Sequence, residues 1–95
     1  MMDGAFLYIL RCADGSYYTG TARGELEQRV AQHNAGIFGG FTATRRPVLL
    51  VYSQWFERIT DAIAAERQVK GWSRAKKEAL IRGDFNALPQ LARRR

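Results

Sequence analysis

The order of apolar patterns along this chain predicts one small α/β domain, and three observations carry that prediction. An aromatic and aliphatic run, a turn and a second aromatic stretch open the chain as a β-hairpin. A β-branched run near the middle supplies a further strand, and segments with helical spacing lie before and after it. At 95 residues the chain is the size of a single domain with one modest core. Its 46% hydrophobic and 12% aromatic content is that of a packed globular protein.

The hairpin is read from Phe6-Leu7-Tyr8-Ile9-Leu10-Arg11-Cys12, which ends at Ala13-Asp14-Gly15 and is answered by Ser16-Tyr17-Tyr18-Thr19-Gly20. Two turns suit it. A two-residue Asp14-Gly15 turn would put Tyr8 and Tyr18 on opposite faces. A three-residue Ala13-Asp14-Gly15 loop, with Gly15 left-handed and a bulge, would pair Leu10 with Tyr18 and bring both tyrosines to one face.

Glu25 to Asn34 reads as a short amphipathic helix between Gly24 and Gly36, with Leu26 and Val30 on its buried stripe. The glycine-rich Gly36-Ile37-Phe38-Gly39-Gly40-Phe41-Thr42 lacks the strand–turn–helix setting of a phosphate loop and reads as a mobile surface loop. Pro47 opens Val48-Leu49-Leu50-Val51-Tyr52, a run that suits a strand buried on both faces, the sheet's third and a candidate for its centre. Thr60-Asp61 starts a second helix through about Lys70, and Ser73 caps a third that stops before Gly83. Asp84 to Leu91 adds a final turn or two, and Arg93-Arg94-Arg95 reads as a solvated end or a phosphate contact.

Fifteen Lys plus Arg against nine Asp plus Glu give a net charge of +6 and a pI near 10.1. Nucleic acid is the obvious acidic partner, and a solubilising surface is the competing explanation. No apolar run approaches the ~20 residues that span a bilayer, and Met1-Met2-Asp3-Gly4 lacks the basic start of a secretory signal. A cytoplasmic protein with no membrane partner is expected. The single cysteine, Cys12, excludes an internal disulfide and a cysteine-rich zinc site, and reads as a strand residue without a catalytic role.

Some polar residues sit where a purely structural account would not put them. Ile59, Ala62, Ile63, Glu66 and Val69 share one side of the second helix, so Glu66 looks toward the core. A buried carboxylate needs a partner: a lysine or arginine in the plain reading, a metal in the functional one. On the first helix Leu26, Arg29, Val30 and His33 follow helical spacing, so the arginine and the only histidine share a face. The plain reading there is a packed arginine stem and a histidine at the helix end interacting with the last carbonyls. Together with Tyr8 and Tyr18, these types suit phosphodiester cleavage. Arginine can hold a phosphate oxygen, one carboxylate suffices for Mg²⁺, and histidine and tyrosine can move protons or orient water.

Several segments in order carry a family resemblance: Phe6-Leu7-Tyr8-Ile9-Leu10, Tyr18-Thr19-Gly20, and Arg29-Val30-Ala31-Gln32-His33-Asn34-Ala35-Gly36. Arg46-Pro47-Val48 with Leu50-Val51-Tyr52, Glu66-Arg67-Gln68-Val69-Lys70-Gly71-Trp72 and Ser73-Arg74-Ala75-Lys76-Lys77-Glu78-Ala79-Leu80 extend it. From about Phe6 to Gly83 the chain resembles the GIY-YIG nuclease superfamily, in its small stand-alone bacterial branch of YhbQ-like endonucleases. The resemblance implies a single GIY-YIG domain over residues 1–95, with a core of about 5–83, built as a three-stranded antiparallel sheet flanked by helices. It implies hydrolysis of DNA strands with Mg²⁺ or Mn²⁺, in DNA repair or recombination.

Carried onto this sequence, the resemblance makes Tyr8 the residue that activates or positions water and Tyr18 the one that contacts the scissile phosphate. Arg29 becomes the phosphate-binding arginine, His33 the proton-handling or phosphate-contacting residue, and Glu66 the metal-binding carboxylate. Both tyrosines must then share a site, which selects the three-residue hairpin loop. Phe6 stands where the superfamily name has glycine, and the approach Thr21-Ala22-Arg23-Gly24-Glu25 is one residue longer than usual, so Arg29's placement depends on Gly24 absorbing the extra residue. No separate DNA-binding module fits in 95 residues, so weak binding helped by a homodimer or protein partner is expected. The alternative function is a non-catalytic nucleic-acid-binding domain in which Lys70, Arg74, Lys76, Lys77 and Arg82 hold the backbone.

Overall fold

The hairpin closes through the three-residue loop. In the computed structural model, which describes residues 3–88, the Cys12 amide donates to the Ser16 carbonyl at 2.8 Å and the Gly15 amide to the Cys12 carbonyl at 2.9 Å. Gly15 has φ 85°, a left-handed conformation that glycine adopts without steric cost. The loop fixes the register between β1 (Ala5–Arg11) and β2 (Tyr17–Ala22): Leu10 stands opposite Tyr18, and Tyr8 opposite Gly20. Side chains two residues apart share a face, so Tyr8 and Tyr18 lie on the same side of the sheet.

The remaining elements are α1 (Leu26–Asn34), α2 (Gly40–Ala43), β3 (Leu49–Phe56), α3 (Ile59–Lys70), α4 (Arg74–Ile81) and a closing 3-10 turn at Phe85–Ala87. This is the three-stranded antiparallel α+β architecture, with strand order β2-β1-β3. β1 is the central strand and buries a core on each face. Tyr8, Leu10 and Cys12 pack with Ala22, Val48, Leu26 and Val30. Leu7 and Ile9 pack with Val69 and Leu80 from α3 and α4. Full burial of each such aliphatic side chain contributes ~1.5–3 kcal/mol, so β1 anchors both layers.

Two expectations are corrected here. β3 is an edge strand rather than the centre, and it is not buried on both faces: Leu49 is 65% and Leu50 39% exposed. An apolar run records hydrophobicity but not which strand collects two neighbours. The ladder to β1 also shifts between Ile9 and Leu10, leaving Val51 between the Ile9–Tyr52 and Leu10–Leu50 pairs. The segment from Gly36 to Thr42 is likewise more than a surface loop. It turns at three left-handed glycines, Gly36, Gly39 and Gly40, enters α2, and buries Thr42 to 2% exposure.

Smaller features position the site. β2 continues through Thr21 and Ala22 before the bend at Arg23-Gly24 that leads to α1. Phe6 packs edge-on against Trp55 at 4.9 Å. The Ser73 hydroxyl accepts the Lys76 amide and caps α4. Of the final turns predicted to Leu91, the Phe85–Ala87 turn is present; the end of that segment and Arg93-Arg94-Arg95 lie outside the described residues. Among the described residues no helix is long and apolar enough to cross a membrane.

Candidate active site

The side chain of Tyr8 crosses from the central strand over Gly20 of the edge strand, where the missing β-carbon makes room for its ring. Tyr18 lies beside it, with ring centroids 6.3 Å apart. From α1, His33 reaches the same place: its Nε2 is 3.0 Å from the Tyr8 hydroxyl. Its Nδ1 is 2.8 Å from the Thr42 hydroxyl of α2. Tyr8, His33 and Thr42 are 1%, 3% and 2% exposed, so a continuous hydrogen-bonded chain runs beneath the surface. His33 thus has side-chain partners from two other elements, rather than the helix-end carbonyls that its position on α1 suggested.

Arg29, one turn before His33, is partly exposed and close enough to act on both buried groups. Burial pushes the Tyr8 hydroxyl up to about 12. The neighbouring Tyr18 and, more weakly, Glu66 add to that, and Arg29 opposes it. Burial first, and then the charge of Arg29, hold His33 below its ordinary value. At neutral pH the buried pair is therefore an uncharged tyrosine and an uncharged imidazole.

Glu66 comes from α3, which packs on β1 and β2. Its side chain is 18% exposed and bridges Lys70 one turn later, Nζ to Oε2 at 3.0 Å. The plain reading of Glu66 as a salt-bridge partner is thus realised, and the bridge stands in the field of the tyrosines. Tyr8 responds to Glu66. Lys70 is raised by its hydrogen bond to Glu66 and, more weakly, by Tyr18. Tyr18, Arg29 and Glu66 are each partly exposed, and the field of each of the three reaches the buried Tyr8 hydroxyl. Surface clefts lie to the side. One of about 520 Å³ is lined by Asn34, Ala43, Thr44, Arg46 and Pro47. Another of about 160 Å³ abuts the Gly24–Gln32 side of Arg29.

The basic row predicted to hold DNA is mostly engaged within the protein. Lys70 is bound to Glu66. Arg74 pairs with Glu78 at 3.1 Å and donates to the Gly15 carbonyl at 2.7 Å. It also lies over the Tyr17 ring, so it ties α4 to the hairpin. Lys76 sits 4.1 Å above the Trp72 ring, and Arg82 pairs with Asp84 at 3.4 Å. Among the described residues Lys77 alone of the row has no such tie. Exposed pairs of this kind are worth ~0.2–1 kcal/mol, so they can reopen for a polyanion.

Sequence reasoning missed Thr42, Phe38 and Phe41. Phe38 lies 4.7 Å from His33, and Phe41 stacks on Tyr18 at 6.1 Å. Thr42 is nine residues from its histidine, inside a segment whose glycines suggest mobility. No local spacing rule points to that pair.

The buried histidine makes stability depend on pH. Its folded value is depressed, so below the ordinary histidine pKa of ~6.5 the unfolded chain binds more protons than the folded one. This contribution is fully present above that pH and is lost as pH falls toward the folded value. The melting temperature should decline from about pH 7.5 to about pH 5.5, and His33→Gln, which cannot take up the proton, should flatten the decline. Equal slopes in the two proteins would assign the effect to another group.

Residues 4–79 match the GIY-YIG catalytic domain family. A UPF0213 protein of Staphylococcus saprophyticus is 44% identical over 80 residues, covering 84% of this chain and 96% of that protein. The solution NMR structure of a UPF0213 protein from Bacillus halodurans shares the fold with a TM-score of 0.53 and 37% identity over 82% of each chain. That of a protein from E. faecalis does so with a TM-score of 0.59 and 34% identity over 86% of each chain. The matched span contains both tyrosines, Arg29, His33 and Glu66, and the chain belongs to the GIY-YIG catalytic-domain family, a nuclease family, as a relative of its small UPF0213 proteins.

Proposed function

We propose that this protein is a divalent-metal-dependent endonuclease that hydrolyses DNA phosphodiester bonds. The observation that carries the reading is the buried Tyr8–His33–Thr42 chain, whose tyrosine feels Tyr18, Arg29 and Glu66. Fold stability does not call for a neutral histidine and a protonated tyrosine aimed at each other beneath a cation. Proton transfer during phosphate attack does.

In this reading Arg29 and the Tyr18 hydroxyl hold non-bridging oxygens, and Arg29 offsets charge that grows on them in the transition state. A neutral imidazole offers one acceptor and one N–H. Tyr8, protonated, donates to Nε2, and Nδ1–H donates to Thr42, which fixes the tautomer and the ring's orientation. The attacking water arrives with the phosphate on the Tyr18 and Arg29 side. As its oxygen bonds to phosphorus, its proton passes to the Tyr8 oxygen while the Tyr8 proton passes to His33. The opposite P–O bond breaks, and the leaving oxygen takes a proton from solvent. His33 is then the terminal proton acceptor and Tyr8 the relay.

The donor set fits Mg²⁺ or Mn²⁺. Among the described residues no three of His, Cys, Asp and Glu gather, so Glu66 would serve alone, which suffices for a hard cation that keeps its waters and adds phosphate oxygens. Such an ion supplies Lewis-acid stabilisation of the phosphate charge. Lys70 has to release the carboxylate for the ion to bind, and can then pair with the DNA backbone. The protein would act on DNA in the cytoplasm, in repair or recombination, with a second copy or a protein partner adding contacts.

A second reading, a binding domain that does not cut, draws on that same Glu66–Lys70 bridge, because it occupies the only metal carboxylate proposed. Both are tested by incubating the protein with supercoiled, nicked and branched DNA and Mg²⁺ or Mn²⁺, beside Glu66→Ala. Wild type should cut, and the variant should bind but cut at least about 10²-fold more slowly, since a catalytic cation is worth several kcal/mol. Wild type that binds every substrate and cuts none would leave the binding domain as the function.

A further inference from the structure

Three large apolar side chains beside the site have no role in that chemistry. Ile37, Phe38 and Phe41 are 66%, 46% and 40% exposed. Phe38 lies 4.7 Å from the His33 ring, and Phe41 stacks on Tyr18 at 6.1 Å with an interplanar angle of 29°. Arginines alternate with them. The Arg29 guanidinium stands 5.2 Å from the Phe38 ring and the Arg45 guanidinium 3.9 Å from the Phe41 ring. Arg45 is fixed there by Asp14 at 3.1 Å and by the Phe41 carbonyl at 2.8 Å. The ring and the guanidinium plane therefore lie side by side as one surface.

Exposed aromatic rings are unfavourable in water unless something covers them. A protein partner would bury the rings beside cations that its own apolar face could not satisfy. A polyanion with flat apolar faces meets both halves of the surface: its phosphates pair with the arginines and its bases stack on the rings. In a duplex both faces of every base are already covered by neighbouring bases, so only unpaired bases can use these rings.

We propose that Phe38 and Phe41, with the Arg45 plane, form a stacking surface for unpaired bases next to the phosphate held by Arg29 and Tyr18. Single-stranded DNA, free or exposed at a fork, is then the preferred substrate class. The proposal rests on the nuclease reading for its phosphate site, but the binding surface can be tested without cutting.

The test is fluorescence anisotropy in EDTA, which withholds the metal and keeps the DNA intact. The probes are a labelled thymidine 12-mer, an abasic strand with the same phosphates, and a duplex of that length. Wild type should bind the base-bearing strand at least about tenfold more tightly than the abasic strand, given the strength of base–aromatic stacking. Phe38→Ala and Phe41→Ala should each lose about tenfold on the base-bearing strand alone. Phe38→Leu keeps the apolar bulk but not the π face, and should lose most of the same affinity. Equal affinity for base-bearing and abasic strands would overturn the proposal, as would equal losses on all three probes. A concentration-dependent dimer in light scattering that Phe38→Ala abolishes would overturn it too, by assigning the patch to a second copy. Failure of the nuclease reading shows separately, as wild type that binds these strands but cuts none of them when Mg²⁺ or Mn²⁺ is supplied.

Discussion

Arg29→Ala should lower DNA cleavage by about 10²–10³-fold, the range for removing one preorganised donor from a developing oxyanion, while the fold stays close to intact. The residue is partly exposed on α1, where alanine is at least as good a helix former, so the backbone loses little. The electrostatic consequences are larger. Arg29 opposes the rise of Tyr8 and depresses His33. Without it the His33 titration should move upward toward its ordinary value, which can be followed by NMR of the imidazole with no substrate present. Arg29→Lys keeps a charge but loses bidentate geometry, so it should restore the His33 titration and only part of the rate. Unchanged cutting by the alanine variant would remove Arg29 from the phosphate site. An unmoved His33 would contradict the geometry itself.

That interplay separates what the sequence made legible from what it did not. Helical spacing was enough to put Arg29 and His33 on one face and Glu66 on the inward side of α3, because period and face are local properties. The shared face of the two tyrosines depended on one loop residue. Composition allowed two turns, and only the requirement that both hydroxyls serve one site chose Gly15 at φ 85°. Contacts between distant segments were out of reach. Nothing in Gly36 to Thr42 says that its threonine will cap the imidazole of His33, or that its rings will flank Tyr18. The position of β3 at the edge was equally hidden, since strand order depends on which strand the helices cover. Lys70 and Arg74 looked like free cations because their tethers, Glu66 and the Gly15 carbonyl, become neighbours only through the helical turn and the tertiary fold.

Gly20→Ala should be the most damaging single methyl that can be added near the site. In an ordinary strand the exchange would stabilise, because glycine loses more backbone freedom on folding and costs roughly 0.5–1 kcal/mol relative to alanine. Gly20 has no left-handed conformation to protect, so backbone geometry alone predicts a gain. Space reverses the sign. A β-carbon there would lie 2.7 Å from the Tyr8 hydroxyl oxygen, 2.8 Å from the ring carbon that bears it, and 3.1 Å from the Tyr18 ring. Tyr8 cannot swing aside cheaply: it is 1% exposed and held to His33 at 3.0 Å. Overpacking of this kind costs ~1–3 kcal/mol, and for a domain of this size each kcal/mol lowers the melting temperature by roughly 4–8 °C. Displacing Tyr8 also pulls its hydroxyl off His33 Nε2, so cleavage should fall beyond what lost stability explains. Tyr8→Phe supplies the cross-check. Alone it leaves a buried imidazole nitrogen without a partner and destabilises; combined with Gly20→Ala it also removes the oxygen at the centre of the clash. The double variant should therefore be more stable than the sum of the two single losses predicts. Strict additivity in thermal melts, or a Gly20→Ala protein more stable than wild type, would mean that the ring does not rest on Gly20 and that the Tyr8–His33 pair is assembled some other way.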